Sequence, residues 1–253
     1  MTFFNGGSNI NKELESKPNK IPDALQCKLE NNMEYVENNF NTKSTINDET
    51  EILILGTITS QKGMKNGYFY TSNKNTLYEI LDNVYNSNDF SSFKKKIIEA
   101  KDEKEKKEFI NEMREALKDK KIAFIDVIKN CVRHKSKASD DAIWAYNPID
   151  LVDLIQYINC TGIKKKKKIF YNSDWIIKIL RGIIKNNNEG IKIEIEGSKK
   201  EGYKLKYKEN EYIENEYILI KLSSPSRNNK VDKDEKIKQW KKALLDKYEN
   251  INK

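Results

Sequence analysis

Residues Glu51–Leu81, EILILGTITSQKGMKNGYFYTSNKNTLYEIL, decide how the rest of the chain reads. Ile52-Leu53-Ile54-Leu55 is a short apolar run, and Gly56 ends it. A run of that length bounded by a breaker fits a strand buried on both faces. A polar, glycine-marked loop follows and carries three consecutive rings, Tyr68-Phe69-Tyr70. Asn75 then precedes Leu77, Ile80, Leu81 and Val84, which recur at helical spacing. A buried strand, a wide ring-bearing loop and a helix are the layout of an α/β ligand edge, where ligands bind beyond the carboxyl ends of the strands.

Downstream, the same alternation continues. Phe93–Asp119 is heavily charged with Phe109, Met113 and Leu117 four residues apart, which reads as amphipathic surface helix. Its KDEKEKKE run mixes both signs and reads as a solvated face. Lys121–Ile128 is a second buried strand, ending in a polar loop from Lys129 to Asp141 that holds His134. A helix follows Pro148 through Ile158. Lys164–Lys168 leads into a third strand at Ile169–Asn172 and is read as a solvated entry, followed by an apolar-rich helix at Trp175–Ile184. Ile191–Glu196 and Tyr203–Lys208 alternate with period two and form a hairpin through Gly197–Gly202. Tyr217–Leu222 is the last core strand, and Lys233–Tyr248 the last helix, with Ile237, Trp240, Leu244 and Leu245 at core spacing.

Upstream, residues 1–22 are polar and read as an arm. Pro22-Asp23 starts a helix through Leu25, Leu29, Met33 and Val36 that covers an edge of the core, and a polar connector leads to Glu51. Strands alternating with helices imply a three-layer α/β/α sandwich with a mainly parallel central sheet, plus an inserted β-hairpin. The expected organisation is an arm and covering helix over residues 1–39 and one α/β domain over 40–253. Insertions are expected at about 86–119, charged and helical, and about 189–214, the hairpin.

The chain has 253 residues and a net charge of +8, from 47 Lys and Arg against 39 Asp and Glu. That balance favours an anionic partner, nucleic acid first, although a lysine-rich composition alone produces the same excess. Cys27, Cys131 and Cys160 are far apart and odd in number, which argues against a disulfide framework or a cysteine-held metal. No metal and no cofactor are expected. No apolar run approaches the ~20 residues of a membrane span. The first residues, MTFFNGGSNINKELESK, lack the charge and apolar pattern of a signal peptide, so a cytoplasmic monomer is expected.

Four stretches together resemble the uracil-DNA glycosylase superfamily, closest to its hypoxanthine-DNA glycosylase and mismatch-specific branch. ILILGTITS…GYFY…NKNTLYEIL is similar to the first motif of that branch. IAFIDVIKNCVRHKSKASDDAI is similar to its second strand and loop, and IFYNSDW to its Phe-Asn-Gly strand end. LSSPSRNN followed by EKIKQWKKAL is similar to its last loop and tryptophan-bearing helix. Order and spacing cover roughly residues 40–245. Ile58-Thr59 stands where the branch has Phe-Pro, Asn73-Lys74 where it has Pro-Arg, and Arg227-Asn228 where it has Pro-Ala.

The resemblance implies a DNA glycosylase that flips a deaminated base, uracil or hypoxanthine, and hydrolyses its N-glycosidic bond. It implies a base pocket of Gly56, one of the rings Tyr68, Phe69 or Tyr70, and Asn172. At least one of the rings should pack the loop instead, and Phe69 or Tyr70 is preferred for stacking. Asn172 offers both a donor and an acceptor to a base edge, and equally suits a turn or cap before Asp174. Asn75 matches the catalytic asparagine of the branch, where an amide positions water, and equally suits a helix cap. Asp126 is expected to organise its loop or to act on the sugar cation. DNA contacts are implied for Thr59, Ser60, His134, Ser223, Ser224, Ser226 and Arg227. Because GTITS has no carboxylate, a superfamily fold that binds modified DNA without cutting is the alternative, and a small-molecule α/β protein is a third.

Overall fold

The apolar runs pair side by side. In the computed structural model, which describes residues 33–38, 45–134, 140–159, 168–186, 191–208, 214–226 and 231–245, β2 (Ile52–Gly56), β3 (Ile122–Asp126) and β6 (Lys168–Tyr171) are buried along their whole lengths. β2 pairs in parallel with β3 and with β6, and β6 with β9 (Glu214–Lys221). β8 (Gly202–Lys208) pairs antiparallel with β9, and β7 (Ile193–Ser198) with β8. The result is a six-stranded sheet of order β3-β2-β6-β9-β8-β7. The hairpin therefore extends the central sheet through β9.

Successive strand residues point to opposite faces, and each face has its own core. Leu53, Leu55, Ala123, Ile125, Ile169 and Tyr171 pack against α5 (Leu151–Asn159) and α6 (Asp174–Lys185). Ile52, Ile54, Ile122, Phe124 and Phe170 pack against α2 (Leu77–Tyr85), α3 (Asp89–Glu99), α4 (Glu103–Asp119) and α7 (Lys233–Leu245). The sequence pattern explains each helix. In α2 the buried set includes Leu77, Ile80, Leu81 and Val84. α4 starts at Asp102, whose side chain accepts from Lys104 N and Glu105 N, and it buries Met113 and Leu117 on its inner stripe. The outer charges form exposed pairs such as Lys118–Glu115, worth little to stability. In α7, Trp240 has no exposed surface, and its indole N–H donates to Ser223 O at 3.1 Å.

Two expectations are corrected. Residues 33–37 are a strand, β1 (Met33–Glu37), not the end of a covering helix; residues 1–32 lie outside the described part. Met33 and Val36 fit helical spacing, but Met33–Glu37 pairs antiparallel with β4 (Ile128–His134), and a ladder on a waiting edge outweighs a short-range spacing. The stretch from Lys129 is likewise no loop. β4 pairs with β5 (Ile143–Pro148), making a second sheet of order β1-β4-β5, and His134 ends a strand of it. Register shifts between Ile128 and Asn130 and between Val132 and Arg133 break the period-two pattern, which hides β4 from a sequence reading.

Candidate functional site

Because β2, β3, β6 and β9 run parallel, their carboxyl ends share one edge. From β2 the chain moves to β3 on one side, then returns to β6 on the other, so the strand order reverses at β2. Open α/β sheets bind ligands in the crevice at such a reversal.

Gly56 ends β2 directly opposite Asp126 at the end of β3. A Cβ on Gly56 would sit 2.4 Å from Asp126 Oδ1 and 2.7 Å from the Tyr70 hydroxyl, so the close approach of these groups requires glycine. Asp126 is 2% exposed. Its Oδ2 accepts from Thr59 N at 2.6 Å, Thr59 Oγ1 at 2.6 Å and Asn38 Nδ2 at 3.0 Å. Burial pushes its carboxyl up to about 6, against the pull of those hydrogen bonds and with a further push from Asp140. Asp126 thus pins the loop after β2, and the Thr59 hydroxyl is committed to it. Ser60 is also engaged, as the cap of α1 (Gln61–Asn66), accepting from Gly63 N at 3.2 Å.

That short helix, absent from the sequence reading, decides where the rings go. It ends at Gly67 with φ 85°, and the chain then turns inward. Tyr68 and Phe69 have no exposed surface; they pack edge-to-face at 5.6 Å, and Phe69 leans on Phe124 at 5.8 Å. A ring without exposed surface offers no face to a base, so the expectation for Tyr68 and Phe69 is corrected: both are core. Tyr70 is the half-buried ring of the three. It sits in the left-handed region at φ 54°, uncommon for a bulky residue, and is braced edge-on against Phe124 at 5.2 Å. Its hydroxyl accepts from Asn172 Nδ2 at 3.1 Å. Burial, with the nearby Asp126 charge, drives the Tyr70 phenol well above its usual range, so it stays protonated.

Asn172 follows the last residue of β6. It does not cap α6; Ser173 does, its hydroxyl accepting from Trp175 N at 3.3 Å. Asn172 is left facing Tyr70. The Ser173 hydroxyl also donates to Asp140 Oδ2 at 2.6 Å, and Thr57 Oγ1 donates to the same oxygen at 3.1 Å. Asp140, in the short 3-10 turn Asp140–Ala142 before β5, therefore ties the residue after Gly56 to the residue after Asn172. The sequence reading did not single it out.

A second cluster lies where the loops after β2 and β9 meet. Asn75 forms an isolated antiparallel bridge with Ser226, and Thr76 donates both N and Oγ1 to Pro225 O at 2.8 Å. Asn75 Oδ1 accepts from Leu77 N at 2.9 Å, so its carbonyl caps α2. Ser223 N donates to Gln239 Oε1 at 2.7 Å, and Ser226 N to Ser224 Oγ at 3.3 Å. Beneath the bridge lie two buried ammonium groups. Lys94, 6% exposed, donates to Asn75 O, and Lys236, 4% exposed, donates to Ser226 O at 3.0 Å. Burial lowers the Lys236 pKa. Neither lysine stood out in a chain full of them; a lysine at a core-facing helical position next to Phe90, Ile97 or Trp240 is the signal that finds both.

The structure thus gathers Gly56, Thr59, Tyr70, Asp126 and Asn172 in one cluster and Asn75, Ser223, Ser224 and Ser226 in another. His134 belongs to the second sheet, and Arg227 lies outside the described residues. Among the described residues no group of three or more His, Cys, Asp or Glu can hold a metal ion, and no helix is long and apolar enough to cross a membrane.

No family model and no curated protein matches the chain. Four solved chains do. One is the solution NMR structure of a candidate uracil DNA glycosylase from Methanosarcina acetivorans, 18% identical, with a TM-score of 0.47 over 79% of this chain and 92% of that one. At that identity and score the likeness assigns no role to any residue here, and the site stands on its own geometry.

Proposed function

We propose that this chain is a DNA glycosylase of the uracil-DNA glycosylase superfamily, which flips a deaminated base, uracil or hypoxanthine, into the crevice at the end of β2 and hydrolyses its N-glycosidic bond to leave an abasic site. The observation that carries the reading is the hydrogen bond from Asn172 to the Tyr70 hydroxyl beside Gly56. It sets an aromatic ring and an amide side by side at the strand ends, and a base taken out of the stack is read by such a pair: stacking on the ring, hydrogen bonding to the amide. Gly56 keeps the floor of the crevice free of a side chain. The four stretches of sequence that resemble the superfamily supply these residues, and the loops that carry them meet at one edge of the sheet.

In this reading Ser223, Ser224 and Ser226 meet the phosphates flanking the flipped nucleotide, with the Lys94 and Lys236 charges beneath them favouring an anion. Asn75 spends its carbonyl on the helix cap, so its Nδ2 is the group that holds a water or the leaving base by donation. An amide takes no proton at neutral pH. The test is release of base from oligonucleotides carrying uracil, hypoxanthine or a mismatch, read as cleavage at the abasic site. Release by the wild type that falls at least tenfold in Asn172→Ala, with folding intact, is expected.

A second reading has its own observation. Asn75 Oδ1 and Asp126 Oδ2 are both committed to structural bonds, which suits a protein that binds modified DNA without cutting it. Tight binding of the same oligonucleotides with no abasic product favours that reading.

A further inference from the structure

Two carboxylates stand at the carboxyl edge of the sheet, and they differ in what they are free to do. Asp126 is 2% exposed, and one of its oxygens receives three donors from Thr59 and Asn38. A carboxylate so enclosed is a strut. Asp140 is only half-buried and is held through two hydroxyls, Thr57 and Ser173, both on Oδ2. Those hydroxyls belong to the residues that follow Gly56 and Asn172, so Asp140 sits between the floor of the crevice and its base-reading amide. Its charge acts on Tyr70 and on Asp126 alike, which places it close to both.

We infer that Asp140 is the general base of the reaction, supplied from the turn before β5 in place of a carboxylate in the loop after β2. The inference rests on the glycosylase reading above. The bond between C1′ and the base nitrogen breaks, its electron pair leaving with the base, while the oxygen of a water adds to C1′. The Asp140 carboxylate takes the proton released by that water, and the departing base takes one from solvent. A carboxylate also lowers the energy of positive charge building on the sugar.

Asp140→Asn keeps the shape and the two hydroxyl bonds but removes the basic oxygen. Its single-turnover rate of base release should fall by ~10²–10⁴-fold, the usual worth of a positioned base, with oligonucleotide affinity and thermal midpoint near those of the wild type. Thr57→Val removes one anchor of Asp140 and leaves the carboxylate, so it should lose far less. Formate should restore part of the rate to Asp140→Gly, which a merely structural aspartate does not allow. Three outcomes overturn the inference: a rate for Asp140→Asn within threefold of wild type; equal losses in Asp140→Asn and Thr57→Val; or no response to formate. A wild-type chain that binds the oligonucleotides but releases no base overturns the glycosylase reading itself, and this inference with it.

Discussion

Gly56→Ala probes the packing of the crevice floor with a single methyl group. The added Cβ lies 2.4 Å from Asp126 Oδ1 and 2.7 Å from the Tyr70 hydroxyl, both closer than non-bonded atoms tolerate. Neither group yields easily. Asp126 is held through Oδ2 by three donors, and Tyr70 is wedged between Phe124 and Asn172. Overpacking of this kind costs about 1–3 kcal/mol. If the ring moves away, the hydrogen bond to Asn172 is lost as well, at about 1 kcal/mol more. Urea unfolding of Gly56→Ala should therefore show a loss of roughly 2–4 kcal/mol. The double variant Gly56→Ala/Tyr70→Phe lacks the atom at 2.7 Å, so the two changes should couple, the pair costing about 1 kcal/mol or more less than the sum of the singles. Strict additivity, or a Gly56→Ala variant within about 0.5 kcal/mol of wild type, would show that Tyr70 and Gly56 do not share the floor of the crevice.

Other outcomes follow from single contacts. The Asp126 carboxyl lies at about 6 in the folded protein, above its ordinary 3.8, so the folded state holds a proton there that the unfolded chain has released. Its contribution to stability should be greatest below pH 4 and should be lost as pH rises through 4 to 6, by roughly 3 kcal/mol. Urea unfolding from pH 4 to 7 should show this component in the wild type and not in Asp126→Asn; equal profiles contradict the assignment. Trp240→Phe removes the indole donor to Ser223 O and should cost about 1–2 kcal/mol, whereas Trp240→Ala empties a core site and should cost about 3–5 kcal/mol, both read by denaturant midpoint. Asn75→Ala removes the α2 cap and should cost about 1 kcal/mol of stability. A drop in base release far beyond that loss assigns Asn75 a part in the chemistry, and a drop that merely tracks stability leaves it as the cap.

The parallel strands were legible because each is a short apolar run ending at a breaker or polar loop: Gly56 after β2, Asp126 in β3, Asn172 after β6. The helices followed from spacing, since Leu77, Ile80, Leu81 and Val84 leave no other reading. β4 was hidden by two irregularities in its pairing with β5, and β1 by apolar residues that suited a helix as well as a strand. Tyr68 and Phe69 looked exposed because polar and glycine residues surround them. Only the turn at Gly67, with its positive φ, sends them into the core. At the crevice, Gly56, Tyr70, Asp126 and Asn172 could be picked out as strand-end residues, but not which of two acids is enclosed. Asp140 lies in a serine-rich turn whose residue types say only that the chain bends. Its meaning comes from Thr57 and Ser173, remote in sequence and adjacent at the ends of two parallel strands.

The most direct test of the crevice as a base-excising site is single-turnover formation of abasic sites in uracil- and hypoxanthine-containing oligonucleotides, by the wild type and by Asn172→Ala at matched folded concentration. Abasic product from the wild type, reduced at least tenfold when the Asn172 amide is removed, is the expected result. Binding without product from the wild type, or product that forms equally well without the Asn172 amide, contradicts it.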